Sequence, residues 1–165
     1  MPQIILKINS SDDKIYTSDN ICCYLIGEDV SLDKIAEVTS VGKPVLMQDT
    51  TNAITDGCVV NVDSSLPVKS QLRPIREKIG SKKILGVIIE PSRHEAMLAS
   101  EVEPEFVAFR LTRENLADAV EVIDWYNDLF LIQSAADLSV EKIDVKGIDI
   151  DFIIINSQDY DDFSC

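Results

Sequence analysis

The stretch from Gly80 to Phe109, GSKKILGVIIEPSRHEAMLASEVEPEFVAF, contains a complete β-α-β unit with legible boundaries. Lys83 to Ile89 is a short, apolar, β-branched run of the length expected for a strand buried on both faces. Ser92-Arg93-His94-Glu95 then reads as a capping box, in which the Ser92 hydroxyl accepts from the Glu95 amide and the Glu95 carboxylate reaches back to Ser92. A helix starts there. Ala96, Met97, Ala99 and Val102 give it a modest apolar face, and Pro104 ends the segment before a second apolar run, Phe106 to Phe109. Two buried strands joined by a helix lie parallel, with a right-handed crossover.

The same pattern extends in both directions. Further strands are expected over 3–8, 21–26, 44–48 and 57–62 before the unit, and over 130–133 and 151–156 after it. Ser31 opens a short helix carrying Leu32, Ile35, Ala36 and Val38; Val68, Leu72, Ile75, Arg76 and Ile79 follow helical spacing up to Gly80. Thr112 caps the longest helix, whose Leu116, Val120, Ile123 and Tyr126 share a face. The connections over 9–20 and 49–56 hold a turn or so of helix at most.

Eight buried strands with helices between most of them predict a closed parallel (β/α)8 barrel of the TIM kind. An open doubly wound sheet satisfies the same pattern, because nothing in it shows closure. A chain of 165 residues is short beside the ~250 typical of such barrels, so several outer helices must be shortened or missing. The expected organisation is a single domain over 1–157 and a solvated acidic tail over 158–165, where Asp159, Asp161 and Asp162 cluster.

Charge narrows the function classes. Twenty-nine acidic against 15 basic residues give a formal net charge of -14. A field of that sign opposes nucleic acid and anionic membranes, and slows phosphorylated ligands unless a local basic site offsets it. No segment approaches the ~18 apolar residues of a membrane span, and the apolar N-terminal run is too short for a signal peptide. A cytoplasmic location is expected. Cys22, Cys23, Cys58 and Cys165 show no metal-ligand spacing and read as reduced, buried small hydrophobes; Cys22 and Cys23, adjacent in a strand, should point to opposite faces.

The order of short motifs carries a resemblance. Lys43-Pro44-Val45-Leu46-Met47-Gln48-Asp49, then Asp56-Gly57-Cys58-Val59-Val60-Asn61-Val62-Asp63-Ser64-Ser65-Leu66-Pro67, then Ile84-Leu85-Gly86-Val87, Ser92-Arg93-His94-Glu95-Ala96-Met97 and Pro104-Glu105-Phe106-Val107-Ala108-Phe109 resemble the thiamine-phosphate synthase and thiazole tautomerase family. The likeness is strong over 43–109 and rests elsewhere on strand order. It implies a phosphate-handling (β/α)8 barrel in thiamine biosynthesis, with a phosphorylated thiazole or pyrimidine ligand and Mg2+ if the activity survives. Diphosphate displacement needs a metal, cations for the leaving group and backbone donors for the second phosphate.

Carried over residue by residue, the resemblance puts Asp49 and Asp63 at the metal, with Gln48 where the family has Asn and Ser65 where it has the second carboxylate. It puts Arg110, Ser134 and Ser157 at phosphate positions; Ser92 is a phosphate candidate on separate grounds, as the N-cap of a helix whose N-terminus can bind an anion, set against plain capping. Tyr24 to Glu28 retain no cation where the family binds diphosphate; Arg110 and Arg113 stand near a missing lysine; Ser134-Ala135-Ala136 replace a Gly-Gly loop. The implied reading is therefore a barrel that has lost its transferase chemistry, a pseudoenzyme or binding protein, with an active synthase or tautomerase using substituted residues as the alternative. His94, the sole histidine, is the weak catalytic candidate, set against a plain helix-start position. Self-association through strands left bare near the first, third and seventh is a further expectation, making the chain a homo-oligomer.

Overall fold

The computed structural model describes residues 2–52 and 54–163, so Cys165 lies outside the described residues. Eight strands run in chain order: β1 (Gln3–Ile8), β2 (Ile21–Ile26), β3 (Val45–Gln48), β4 (Gly57–Asn61), β5 (Ile84–Ile89), β6 (Phe106–Arg110), β7 (Gln133–Asp137) and β8 (Phe152–Asn156). Each pairs in parallel with the next, and β8 pairs with β1 from Gln3–Phe152 to Lys7–Asn156, which closes the barrel. The helices are α1 (Leu32–Thr39), α2 (Val68–Ile79), α3 (Arg93–Ser100), α4 (Leu116–Leu129) and α5 (Tyr160–Phe163). Helices therefore follow β2, β4, β5, β6 and β8, while the other connections are helix-free among the described residues.

Strands buried on both faces divide their side chains between two cores. Ile5, Leu25, Leu46, Val59, Ile88, Phe106, Ala108, Ala135 and Ile154 fill the lumen. The alternate residues, Ile4, Leu6, Ile8, Val45, Val87, Val107 and Ile155 among them, face outward against the helices. Lumen volume is set by close pairs: a Cβ on Gly86 would sit 2.1 Å from Phe106 Cζ, so the ring occupies space only glycine leaves. In the outer layer Tyr126 stacks on Phe130, packs edge-on against Phe109 at 5.5 Å, and shares a hydrogen bond with Ser100 at 3.0 Å, tying α4 to β6 and α3.

Five details depart from the sequence reading. β7 is Gln133–Asp137, not 130–133: Phe130 instead caps α4, and the strand is built on the small residues Ser134 to Ala136, of which Ala135 faces the lumen. The Ser92 cap forms, with Oγ accepting from the Glu95 amide at 3.3 Å, but the Glu95 carboxylate accepts from Ser64 Oγ at 3.0 Å rather than reaching back. Of the tail expected over 158–165, the described residues 158–163 are not free. Tyr160 is buried, stacks on Tyr16 at 4.3 Å and donates to Asn20. The outer faces of β1, β3 and β7 are not bare either, because Ile15, Tyr16, Ile143 and Ile150 from helix-free connections join the outer core and Val45 and Ala136 are fully buried.

The fifth departure concerns Cys22 and Cys23. The β1–β2 register jumps from Ile4–Ile21 to Ile5–Cys23, leaving Cys22 as the extra residue of a bulge. The bulge resets the alternation, so both thiols face the lumen side and their sulfurs lie 4.0 Å apart.

Candidate functional site at the C-terminal mouth of the barrel

Counting inward positions from the lumen core to each strand's C-terminal end gives Lys7, Gly27, Gln48, Asn61, Glu90, Arg110, Asp137 and Asn156, in the order β1 to β8. Seven are polar and one is glycine. Parallel strands bring them to one end of the barrel as a ring of hydrogen-bonding groups over an apolar floor, the end at which barrels of this architecture place their sites.

Two clusters divide the ring. On one side the Arg110 guanidinium pairs with the Glu90 carboxylate and donates to Asn61 Oδ1 at 3.2 Å. The pair is half-buried, Arg110 being one-fifth and Glu90 under half exposed, so each charge is held by the other and the guanidinium also by the asparagine. On the other side Asn156 donates to the Ser139 carbonyl and accepts from the Asn9 side chain, each at 2.8 Å. The buried Asp137 accepts from the Ser139 amide and hydroxyl at 3.0 and 2.6 Å. Between them, Lys7 and Gln48 make no side-chain hydrogen bond or ion pair with another described residue. Lys7 is half-buried, and its ammonium is the free cation of the ring.

The residues singled out in the sequence are scattered. Arg110 lies in the ring. Ser92 spends its hydroxyl on the α3 cap, and His94 in the first turn of α3 is exposed and unpaired with any described residue. Ser134 lies inside β7 with its hydroxyl turned outward, buried and without a partner among the described residues, so it is not in the loop after the strand. Ser157 is buried and donates to the Lys14 carbonyl. Arg113 is on the surface beside Glu141.

Asp49 adopts a left-handed backbone at φ 58° and turns its carboxylate back to the Asn61 amide at 2.8 Å. Asp63 is exposed and accepts from the Ser65 hydroxyl and amide at 2.6 and 2.9 Å; those donors hold its carboxyl below the usual carboxylate range. Among the described residues no group of three His, Cys, Asp or Glu side chains is placed to hold a metal ion. Nor is any helix among them long and apolar enough to cross a membrane.

Lys7, Gln48, Asn61, Asp137 and Asn156 were missed in the sequence. Their signal was available: each follows an inward apolar residue by two positions, and all but Lys7, which Ile8 follows in β1, end their strands on a polar group. For Asp137 the signal was hidden by the misplaced start of β7.

No family model matches this chain, and no curated protein matches it in sequence. Among solved structures it is similar to a ligand-free mutant of tryptophan synthase from M. tuberculosis, at 11% identity and a TM-score of 0.62, over 94% of this chain and 83% of that one. The likeness shows the fold: a compact (β/α)8 barrel.

Proposed function

We propose that this chain is a thiamine-phosphate-synthase-like barrel that has given up diphosphate displacement and keeps its C-terminal mouth to bind a small polar ligand, neutral or bearing a single negative charge. The observation that carries the reading is the state of the cations. Arg110, the one cation that the resemblance supplies at this end, is neutralised by Glu90, which leaves Lys7 alone to face a ligand. A diphosphate brings several charges and demands several partners; one ammonium beside Asp137 and Glu90 does not meet that demand. The hydrogen-bonding capacity of Gln48 and Asn61, with Lys7 for one anionic or carbonyl oxygen, suits a smaller and less charged molecule. The reading assigns no Mg2+ to Asp49 and Asp63, whose carboxylates are engaged by neighbouring amides and hydroxyls.

An active synthase or tautomerase is the competing reading, and the unpaired Lys7 is the observation in its favour. Calorimetric titration separates the two. Pyrophosphate with Mg2+, and separately thiazole phosphate, should give no heat up to millimolar concentration. Micromolar binding of either, lost in Lys7→Met, would support the enzyme instead.

A further inference from the structure

The opposite end of the barrel is hollow. The N-terminal mouth is not filled: a cavity of about 240 Å³ opens there, walled by Ile5, Leu46, Ile84, Phe106 and Phe152. Cys22 and Cys23 line the same cavity. An apolar hollow of roughly 150 Å³ holds a benzene ring, so this one has room for a substituent of that size. Stability is the usual business of this end of a barrel, and an unfilled apolar cavity does not serve it.

The thiols are arranged to act together. Cα atoms of neighbouring residues stand ~3.8 Å apart, under the ~4.4 Å lower bound of ordinary disulfides, so direct closure of Cys22 onto Cys23 is strained. A single bridging atom has no such difficulty. Two bonds to sulfur of about 2.3 Å, the length of a zinc–thiolate bond, reach across any separation up to about 4.6 Å. The sulfurs are 4.0 Å apart. The hydrogen bond between the thiols holds Cys22 below the ordinary thiol range and pushes Cys23 well up, so the half-buried Cys22 is the readier of the two to carry a thiolate charge. Lys43 lies close enough to favour that charge, its ammonium being fixed by the Ser18 and Ile21 carbonyls at 2.7 Å each.

The geometry points to a dithiol receptor for a thiophilic centre that carries one apolar group, of the class of monosubstituted trivalent arsenicals, with Cys22 and Cys23 bridging the centre and the apolar group lying in the N-terminal cavity. The chemistry balances without a redox partner. With phenylarsine oxide, two arsenic–sulfur bonds form, the arsenic–oxygen bond breaks, and the oxygen leaves as water with the two thiol protons. Arsenic stays trivalent. A zinc ion, by contrast, would want four ligands, and no third His, Cys, Asp or Glu joins the pair among the described residues.

The test uses the full chain, phenylarsine oxide and intact-mass spectrometry. One phenylarsenic group should add per chain, with loss of two protons. The adduct should be absent in Cys22→Ser and in Cys23→Ser, retained in Cys165→Ser, and released by a small dithiol but not by an equal amount of a monothiol. Methylarsine oxide, which also takes two thiols but leaves the cavity empty, should bind about tenfold or more weakly, in line with the apolar area of a ring. Far-ultraviolet dichroism confirms that both serine variants fold. An adduct that persists in folded Cys23→Ser or disappears in Cys165→Ser overturns the dithiol site, and equal affinity for the two arsenicals overturns the role of the cavity.

Discussion

Arg110 on β6 and Glu90 at the end of β5 form an ion pair from neighbouring strands, with Asn61 on β4 accepting a second N–H of the same guanidinium at 3.2 Å. Three consecutive strands thus close one side of the C-terminal mouth. The pair neutralises the charge that an anionic ligand would seek. Glu90→Gln keeps the shape and removes the negative charge, and should tighten binding of inorganic phosphate about tenfold, a change of ~1.4 kcal/mol. Arg110→Ala in the same background should abolish the gain. Calorimetry at low salt reads both, and unchanged phosphate affinity in Glu90→Gln would show that the pair does not govern the mouth.

Gly57 opens β4 with no room beside it. A Cβ there would lie 2.0 Å from the Ile84 carbonyl oxygen, a backbone atom of the adjoining strand that cannot swing away. Gly57→Ala should cost about 3 kcal/mol by overpacking. Urea unfolding measures it, with Gly42→Ala as a contrast: its added Cβ meets nothing within 4 Å, leaving only the strain of a positive φ of 93°.

Tyr160 anchors the C-terminal segment to the β1–β2 connection through its stack on Tyr16 and its hydrogen bond to Asn20. Because β8 and β1 form the closing seam, this contact secures the two ends of the chain where they meet. Tyr160→Ala should destabilise the protein by about 3 kcal/mol, the usual cost of removing a buried aromatic. Chemical denaturation would show a loss below 1 kcal/mol if the segment were only a solvated tail.

Cys58, wholly buried in the outer core, has its thiol pushed up to about 11, chiefly by burial and then by Asp49. In the unfolded chain it ionises near 9.0. The folded state therefore holds its proton over a window in which the unfolded state has lost it. Its contribution is complete below pH 9 and falls as pH rises through about 11. Cys58→Ala should flatten the decline in melting temperature between pH 9 and 11. Parallel profiles for the two proteins would contradict the assignment.

Much of the barrel was legible because its strands alternate with α2, α3 and α4 and are buried on both faces, which gives apolar runs that stand out. β7 was not, since QSAAD has neither β-branched nor large apolar residues. In the lumen its Ala135 shares a core with Phe106 and Phe152, which come from other strands and are far away in sequence. Alternation alone placed Cys22 and Cys23 on opposite faces, and only the pairing register of β1 with β2 reveals the bulge that unites them. Arg110 was found as a strand-end cation, but its capture by Glu90 depends on the β5–β6 register, which no local pattern encodes.

The measurement closest to the central claim is a transfer assay. The purified protein is incubated with the pyrimidine diphosphate, thiazole phosphate and Mg2+, and thiamine phosphate is followed chromatographically. A ring of strand-end residues in which Lys7 is the one cation outside an ion pair with a described residue should form no more product than Mg2+ without protein. Product that accumulates with repeated turnover, and that Lys7→Met or Arg110→Ala abolishes, would contradict the loss of transferase chemistry.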